Sequence, residues 1–95
     1  MKLSETVEMM NSADYKERFK AEYYQTKIRY EKLKEFNNKI EAYCRTQYMP
    51  KYSNVEMPKN DCPEDLLREQ QRTMGEYLHC LEVRAVIEGI ELNDK

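Results

Sequence analysis

The chain has no tryptophan, two glycines, three prolines and one histidine in 95 residues. Each scarcity removes a class of function. Gly75 and Gly89 are too few and too far apart to make a glycine-rich phosphate loop. His79, with Glu76 and Glu82 at helical spacing, falls short of the ligand count of a metal site. Cys44, Cys62 and Cys80 form an odd set without a CxxC spacing, so neither a disulfide framework nor a zinc site is expected. They read as free thiols in a reducing compartment. No cysteine pairs with the histidine in a nucleophile motif. No catalytic residue and no cofactor is therefore expected. No stretch approaches the roughly 18 apolar residues of a membrane span. The opening Met1-Lys2-Leu3-Ser4-Glu5 lacks the apolar core of a signal peptide. The protein is expected to work inside the cell that makes it. A net charge of −2 argues against a dedicated duplex nucleic-acid binder, which is normally basic.

What is present is helical. Residues 12–48 contain neither Gly nor Pro and hold six of the eight tyrosines. A helix of that length would span roughly 55 Å, against about 37 Å for the other long helical stretch, residues 64–88. A hairpin of the two would leave part of the first helix to be covered by another chain, a folded-back N-terminus or a ligand. Along the first helix, Tyr15, Phe19, Tyr23, Thr26, Tyr30, Leu33, Asn37, Ile40 and Cys44 follow spacings of four and three, the pattern of side-by-side helices. Thr26 and Asn37 are polar interruptions of that seam. They read as register-setting core residues, with hydrogen bonding to a ligand as the sharper alternative. Asp14–Arg18, Glu35–Lys39 and Glu41–Arg45 have the i,i+4 spacing of helical ion pairs.

The flanking segments complete an all-α, single-domain reading of 1–95. Residues 3–10 predict a short amphipathic helix, with Leu3, Val7 and Met10 on one face and Ser4 as cap, broken at Asn11-Ser12. Residues 49–63 hold all three prolines and form the connector, with Tyr52, Val55 and Met57 expected to pack it down. Asp61 and Glu64 have capping-box spacing before helix two, and Pro63 suits its first turn. Gly89 reads as its C-terminal cap, opening the tail 89–95. Helix two carries two apolar stripes: Leu67, Met74, Leu78, Leu81 and Ala85; and Leu66, Tyr77, Cys80 and Ile87, with Val83 and Val86 between. One neighbouring helix cannot bury both, so a helical-bundle homo-oligomer is expected.

Residues 12–48 carry nine Lys/Arg against six Asp/Glu, and residues 64–95 carry four against eight. Complementarity between antiparallel arms explains this simply. A basic site for an anionic small molecule on the first arm is the sharper reading. The run from Tyr15 to Tyr30 is the best binding candidate, since aromatic faces stack bases and Lys/Arg pair with phosphates. On a helix Tyr23, Lys27 and Tyr30 share one face, with Lys20, Tyr24 and Lys27 beside it. The bland alternative is a tyrosine core with solvated lysines. On helix two, Arg68 and Arg72 share a face. Arg84 sits in an apolar stretch and needs a partner, and Gln70 and Thr73 interrupt the apolar faces.

The segment from Cys62 to Arg84, with Pro63, the Leu66-Leu67 pair, Gln70, Met74, Tyr77-Leu78, Leu81 and Arg84, resembles a group of small phage and prophage proteins related to a crAss-like phage product. The opening Asp14–Tyr24 resembles their first helix, and the resemblance extends from about residue 12 to residue 92. The architecture is also similar to the helical-hairpin sponges of anti-CBASS and anti-Thoeris phage defence, which sequester cyclic nucleotide signals between protomers. The chain departs from the sponges' small-residue, Thr-bearing motif in helix two, where Gln70 or Thr73 takes its place. These resemblances imply a phage counter-defence protein in the host cytoplasm that sequesters a nucleotide-derived immune signal without catalysis. Lys20, Lys27, Arg68, Arg72 and Arg84 would then meet phosphates. Tyr23, Tyr24, Tyr30 and Tyr77 would stack on bases, and Gln70 and Thr73 would read base edges. The pocket would join Tyr23, Lys27 and Tyr30 of one subunit to Arg68, Arg72 or Arg84 of another. The alternatives are a protein-binding inhibitor of a host defence nuclease, of anti-CRISPR type, and a phage assembly helper.

Overall fold

A computed structural model describes residues 1–52 and 54–92. Its element order is α1 (Leu3–Met10), α2 (Tyr15–Thr46), a 3-10 turn (Pro50–Tyr52) and α3 (Glu64–Glu88). No strand occurs among the described residues. The molecule is elongated, 55 × 25 × 23 Å. α2 is the spine: α3 packs along one side of it and α1 folds back on another.

α2 starts two residues later than the Asn11-Ser12 break suggests. Asp14 is its N-cap, and the Asp14 carboxylate accepts the Lys16 amide at 3.0 Å. That role takes the carboxylate away from Arg18, whose guanidinium donates to the Ser12 carbonyl instead. The expected Asp14–Arg18 pair is therefore replaced. The Glu35–Lys39 and Glu41–Arg45 pairs form at 4.0 and 2.7 Å.

The overhang expected on the first helix is small. α2 has 32 residues, about 48 Å, and α3 runs antiparallel along nearly all of it. Cys44 meets Glu64 at one end and Tyr15 meets Glu88 at the other. The first apolar stripe of α3 is buried or half-buried as expected: Leu67, Met74, Leu78, Leu81 and Ala85. Leu78, Leu81 and Ala85 join Phe19, Tyr23, Tyr24 and Ile90 in the core. The second stripe is uncovered, with Leu66 at 53%, Tyr77 at 42% and Ile87 at 77% exposure.

α1 turns a different face inward from the one its apolar spacing suggests. Val7 and Met10 are exposed, while Thr6 is fully buried and Leu3 and Met9 are half-buried. The Thr6 hydroxyl donates to the Leu3 carbonyl at 2.6 Å and accepts from the Gln25 amide at 2.8 Å. Both needs of a buried hydroxyl are thereby met. Ala21, one turn before Gln25, is also fully buried, so small side chains on α1 and α2 permit a close crossing. The cap of α1 is Lys2 rather than Ser4, with no side-chain bond.

Pro63 caps α3, and Asp61 makes no capping bond. Asn60 shapes this entry by accepting the Cys62 amide at 3.0 Å. At the far end Gly89 adopts φ +69°, the left-handed conformation that closes a helix, and the Ile90 amide bonds the Ala85 carbonyl at 2.8 Å. Ile90 is buried, as the apolar residue after such a cap usually is. In the connector Val55 is half-buried and Met57 exposed; the side chain of Tyr52 and residues 93–95 of the tail lie outside the described part.

Candidate functional site: a trough between the long helices

Two hollows of about 340 and 260 Å³ lie along one flank of the α2–α3 pair, and Tyr30 and Gly75 line both. They form one trough with a waist. Tyr30, Asn37, Asn38, Glu41, Arg68, Gln71 and Arg72 surround the first half. Tyr23, Lys27, Glu31, Leu78 and Glu82 surround the second. The residues recur every three or four positions on both helices, which is why two straight helices can align them along one groove.

The floor is set by a single missing methyl group. A Cβ on Gly75 would stand 3.2 Å from Cε1 of Tyr30, so the Tyr30 ring lies against bare helix backbone. Tyr30 is half-buried, and its hydroxyl makes no hydrogen bond among the described residues. Asn37 is buried and fixes the register of the two helices, donating to the Leu67 carbonyl at 3.2 Å and to Oε1 of Gln71 at 2.9 Å. The register-setting reading of Asn37 holds, although the residue also lines the trough. Tyr23 closes the other half by donating its hydroxyl to Oε2 of Glu82 at 2.6 Å. The Lys27 ammonium stands 5.9 Å from the centre of the Tyr23 ring, a cation–π arrangement.

Among the cations, Arg72 bonds Glu76 at 2.8 Å on the exposed side of α3. Arg68 is exposed and has no ion-pair partner among the described residues. A guanidinium at the mouth of a groove, with the Asn38 amide beside it and the Gln71 amide below, offers several N–H donors to one anionic group. Planar forked donors of this kind suit carboxylates and phosphates.

The expected site residues divide into two groups. Tyr23, Lys27, Tyr30, Arg68 and Arg72 of one chain line the same trough. The others do not join them. Tyr24 is buried beside Tyr23, with ring centres 5.5 Å apart and edge-on. It lines a separate hollow of about 420 Å³ with Met1, Lys27, Ile28, Glu31, Lys32 and Glu35. Two lysines and two glutamates at helical spacing offset one another in that hollow, so it carries less charge contrast than the trough despite its size. Lys20 pairs with Glu17 at 3.7 Å. Gln70, Thr73 and Tyr77 are exposed on the flank of α3 turned away from Gly75, as about 100° per residue requires.

Arg84 was expected to be enclosed in the apolar stretch and is instead about half exposed, because the second stripe around it has no cover. It is held at the open end of the hairpin, away from the connector, by Glu88 at 3.1 Å and by the Tyr15 hydroxyl, and it lies 5.0 Å from the centre of the Phe19 ring. Tyr15 also donates to Glu88 at 2.9 Å. That hydrogen bond, followed by the one from Arg84, holds the Glu88 carboxyl below its ordinary range, and the Glu88 bond raises both the Tyr15 phenol and the Arg84 guanidinium. This cluster clasps the helix ends together and is remote from the trough.

Sequence spacing alone missed Asn38, Gln71, Gly75 and Glu82 as lining residues. The available signal was the ladder Arg68, Gln71-Arg72, Gly75, Leu78 and Glu82, in which a glycine interrupts a helix that contains no other. Among the described residues no group of three or more His, Cys, Asp or Glu side chains could hold a metal ion, and no helix is long and apolar enough to cross a membrane.

No curated protein and no solved structure matches the chain. The family model Sequestin matches residues 13–87, which take in both arms of the hairpin and every residue of the trough. The chain belongs to the Sequestin family.

Proposed function

We propose that the protein binds a nucleotide-derived anionic signal in the α2–α3 trough and holds it without chemical change, as a phage counter-defence protein acting in the host cytoplasm. The observation that carries this reading is the convergence on one groove of Arg68 and the Tyr30 hydroxyl, neither with a partner among the described residues, and a glycine floor. Arg68 and Arg72 take the phosphate, and the Tyr30 ring offers its free face to a base. Asn38 and Gln71 lie where base or ribose edges would be read. The family name speaks of sequestration, which fits retention rather than turnover.

The test is calorimetry against cyclic di- and trinucleotides and ADP-ribose-derived compounds. Charge-assisted contacts contribute about 1.5–3 kcal/mol each, or roughly ten- to a hundredfold in affinity. Arg68→Ala and Lys27→Ala should each weaken binding by that order while the thermal midpoint holds. Arg84→Ala should leave binding unchanged, since Arg84 belongs to the clasp. If the wild type binds none of these compounds, the protein-binding inhibitor becomes the better reading. One observation favours that second reading: the apolar stripe Leu66, Tyr77 and Ile87 is open on the outer side of α3.

A further inference from the structure

Asn37 leaves one polar atom facing the trough. The residue is only 6% exposed. Its amide nitrogen donates twice, to the Leu67 carbonyl at 3.2 Å and to Oε1 of Gln71 at 2.9 Å. A main-chain carbonyl can only accept, so the nitrogen of Asn37 must face Leu67 and its oxygen must face away. Oδ1 accepts no hydrogen bond among the described residues. No side-chain nitrogen or oxygen among those residues is both sealed from solvent and unbonded, so Oδ1 is open. The opening that Asn37 lines is the first half of the trough. A side chain this deeply buried normally has its polar atoms bonded, and an acceptor left over points to a donor from outside the chain.

Gln71 supplies the other half of a pair. Its Oε1 is engaged by Asn37, which leaves Nε2 as a donor without a partner among the described residues. Gln71 lines the same hollow. One acceptor and one donor, on amides joined by a 2.9 Å bond, therefore stand side by side on the inner wall. A phosphate suits this wall poorly, because an ionised phosphate oxygen has no hydrogen to give to Oδ1. Its place is at the mouth, with Arg68. What suits the wall is an edge that sets an N–H beside an acceptor. Adenine offers its N6 amino group beside N7 on one edge and beside N1 on the other. On the pairing edge it carries that pair and no third polar group, whereas guanine, cytosine and uracil each add one more. The Tyr30 ring lines this half too and gives a base a stacking face. Arg68 and Gln71 are three residues apart on α3, about 5–6 Å between their Cβ atoms, so the base and 5′-phosphate of a single nucleotide can reach both.

We infer that the first half of the trough reads an adenine base. Oδ1 of Asn37 accepts from the exocyclic amino group, Nε2 of Gln71 donates to the ring nitrogen beside it, and Arg68 holds the phosphate. The inference rests on the nucleotide reading proposed above and adds the identity of the base to it.

The probes are AMP, purine riboside 5′-monophosphate, which lacks only the amino group, and 1-deaza-AMP and 7-deaza-AMP, which each replace one ring nitrogen by C–H. All carry the same phosphate, so ratios between them report the base alone. Because Asn37 is buried and sets the register, the ligand is changed opposite it rather than the residue. Calorimetry on the full chain should show purine riboside monophosphate binding at least about tenfold more weakly than AMP, since Oδ1 loses its donor. One of the two deaza compounds should fall by a similar factor. Gln71→Glu keeps an oxygen for the Asn37 amide and turns the free donor into an acceptor. Its melting midpoint should hold, and AMP and that deaza compound should then bind within about twofold of each other. If purine riboside monophosphate or both deaza compounds match AMP, if the deaza difference survives Gln71→Glu, or if GMP binds more tightly than AMP, the base is wrongly assigned and nucleotide binding stands. If AMP does not bind while another nucleotide does, the assignment is likewise overturned. If no nucleotide binds at all, both readings fall.

Discussion

Gly75 is the residue on which the trough depends most directly. Glycine inside a helix costs about 0.8–1 kcal/mol relative to alanine, so Gly75→Ala gains that much from the backbone. Against it stands the contact at 3.2 Å with Tyr30, which must give by a few tenths of an ångström. Tyr30 can give, because its hydroxyl has no hydrogen bond among the described residues and its ring, although packed on the core, lines both hollows. The expected outcome is a melting midpoint unchanged or raised by a few degrees, together with at least tenfold weaker ligand binding as the ring swings into the trough. A loss of more than about 2 kcal/mol in denaturant unfolding would show Tyr30 to be locked, and the trough to be a packing defect rather than a site. The clasp of Tyr15, Arg84 and Glu88 makes a separate prediction at the same scale. The Glu88 carboxyl is lowered from 4.5, so its contribution to stability is present above that value and is lost as the pH falls through the folded value. Glu88→Gln should therefore melt earlier than the wild type at neutral pH. The gap should close as thermal melts are taken down through the lower carboxylate range; a gap of constant size would mean that the charge on Glu88 contributes nothing.

At the scale of elements, legibility in the sequence followed the strength of the periodic signal. α2 and α3 were readable because each runs more than twenty residues without proline and repeats its apolar positions every three or four. The stop at Gly89 was readable because a left-handed cap followed by an apolar residue is a strong local signature. The spacing in α1 predicts the helix but turns the wrong face inward. With eight residues its apolar positions define a face only loosely, and a satisfied buried hydroxyl at Thr6 outweighed the burial of Val7 and Met10. Spacing points to Asp61 at the α3 entry, whereas Asn60 shapes it, because either side chain is able to form a turn. The trough was half readable. Tyr23, Lys27 and Tyr30 were placed on one face by spacing, and Arg68 and Arg72 on another. Their meeting within one chain depends on the register between helices, which Asn37 sets through α3, and no single-helix pattern encodes it. The sponge resemblance implies ligand contacts for Gln70, Thr73 and Tyr77. They prove to lie on the outer flank of α3, opposite Gly75.

At the scale of the molecule, that outer flank is the feature the single chain leaves unexplained. Leu66, Tyr77, Cys80 and Ile87 repeat with Gln70, Thr73 and Arg84 at alternating spacings of four and three, a seam suited to another straight helix. α2 covers the neighbouring face of α3, and α1 packs on α2. No element among the described residues therefore closes the seam. It runs about 32 Å along α3. The largest apolar surfaces of monomers run to roughly 300–600 Å², and two patches at the top of that range together approach the lower end of specific interfaces, about 1,200 Å². Interfaces at that lower end are typical of weak or transient encounters. A second copy laid antiparallel would set the helix dipoles head to tail and keep Arg84 away from its own counterpart, whereas a parallel copy would bring the two arginines together. Light scattering at rising micromolar concentration should thus give a mass above the 11.5 kDa of one chain. The double change Tyr77→Lys with Ile87→Lys should return it to the single-chain mass with helicity intact, since both side chains are exposed and touch none of the core. The same variant should still bind ligand, because the trough lies on the other flank of α3 and within one chain. A mass of 11.5 kDa for the wild type across the whole range would show that the seam has no partner of its own kind.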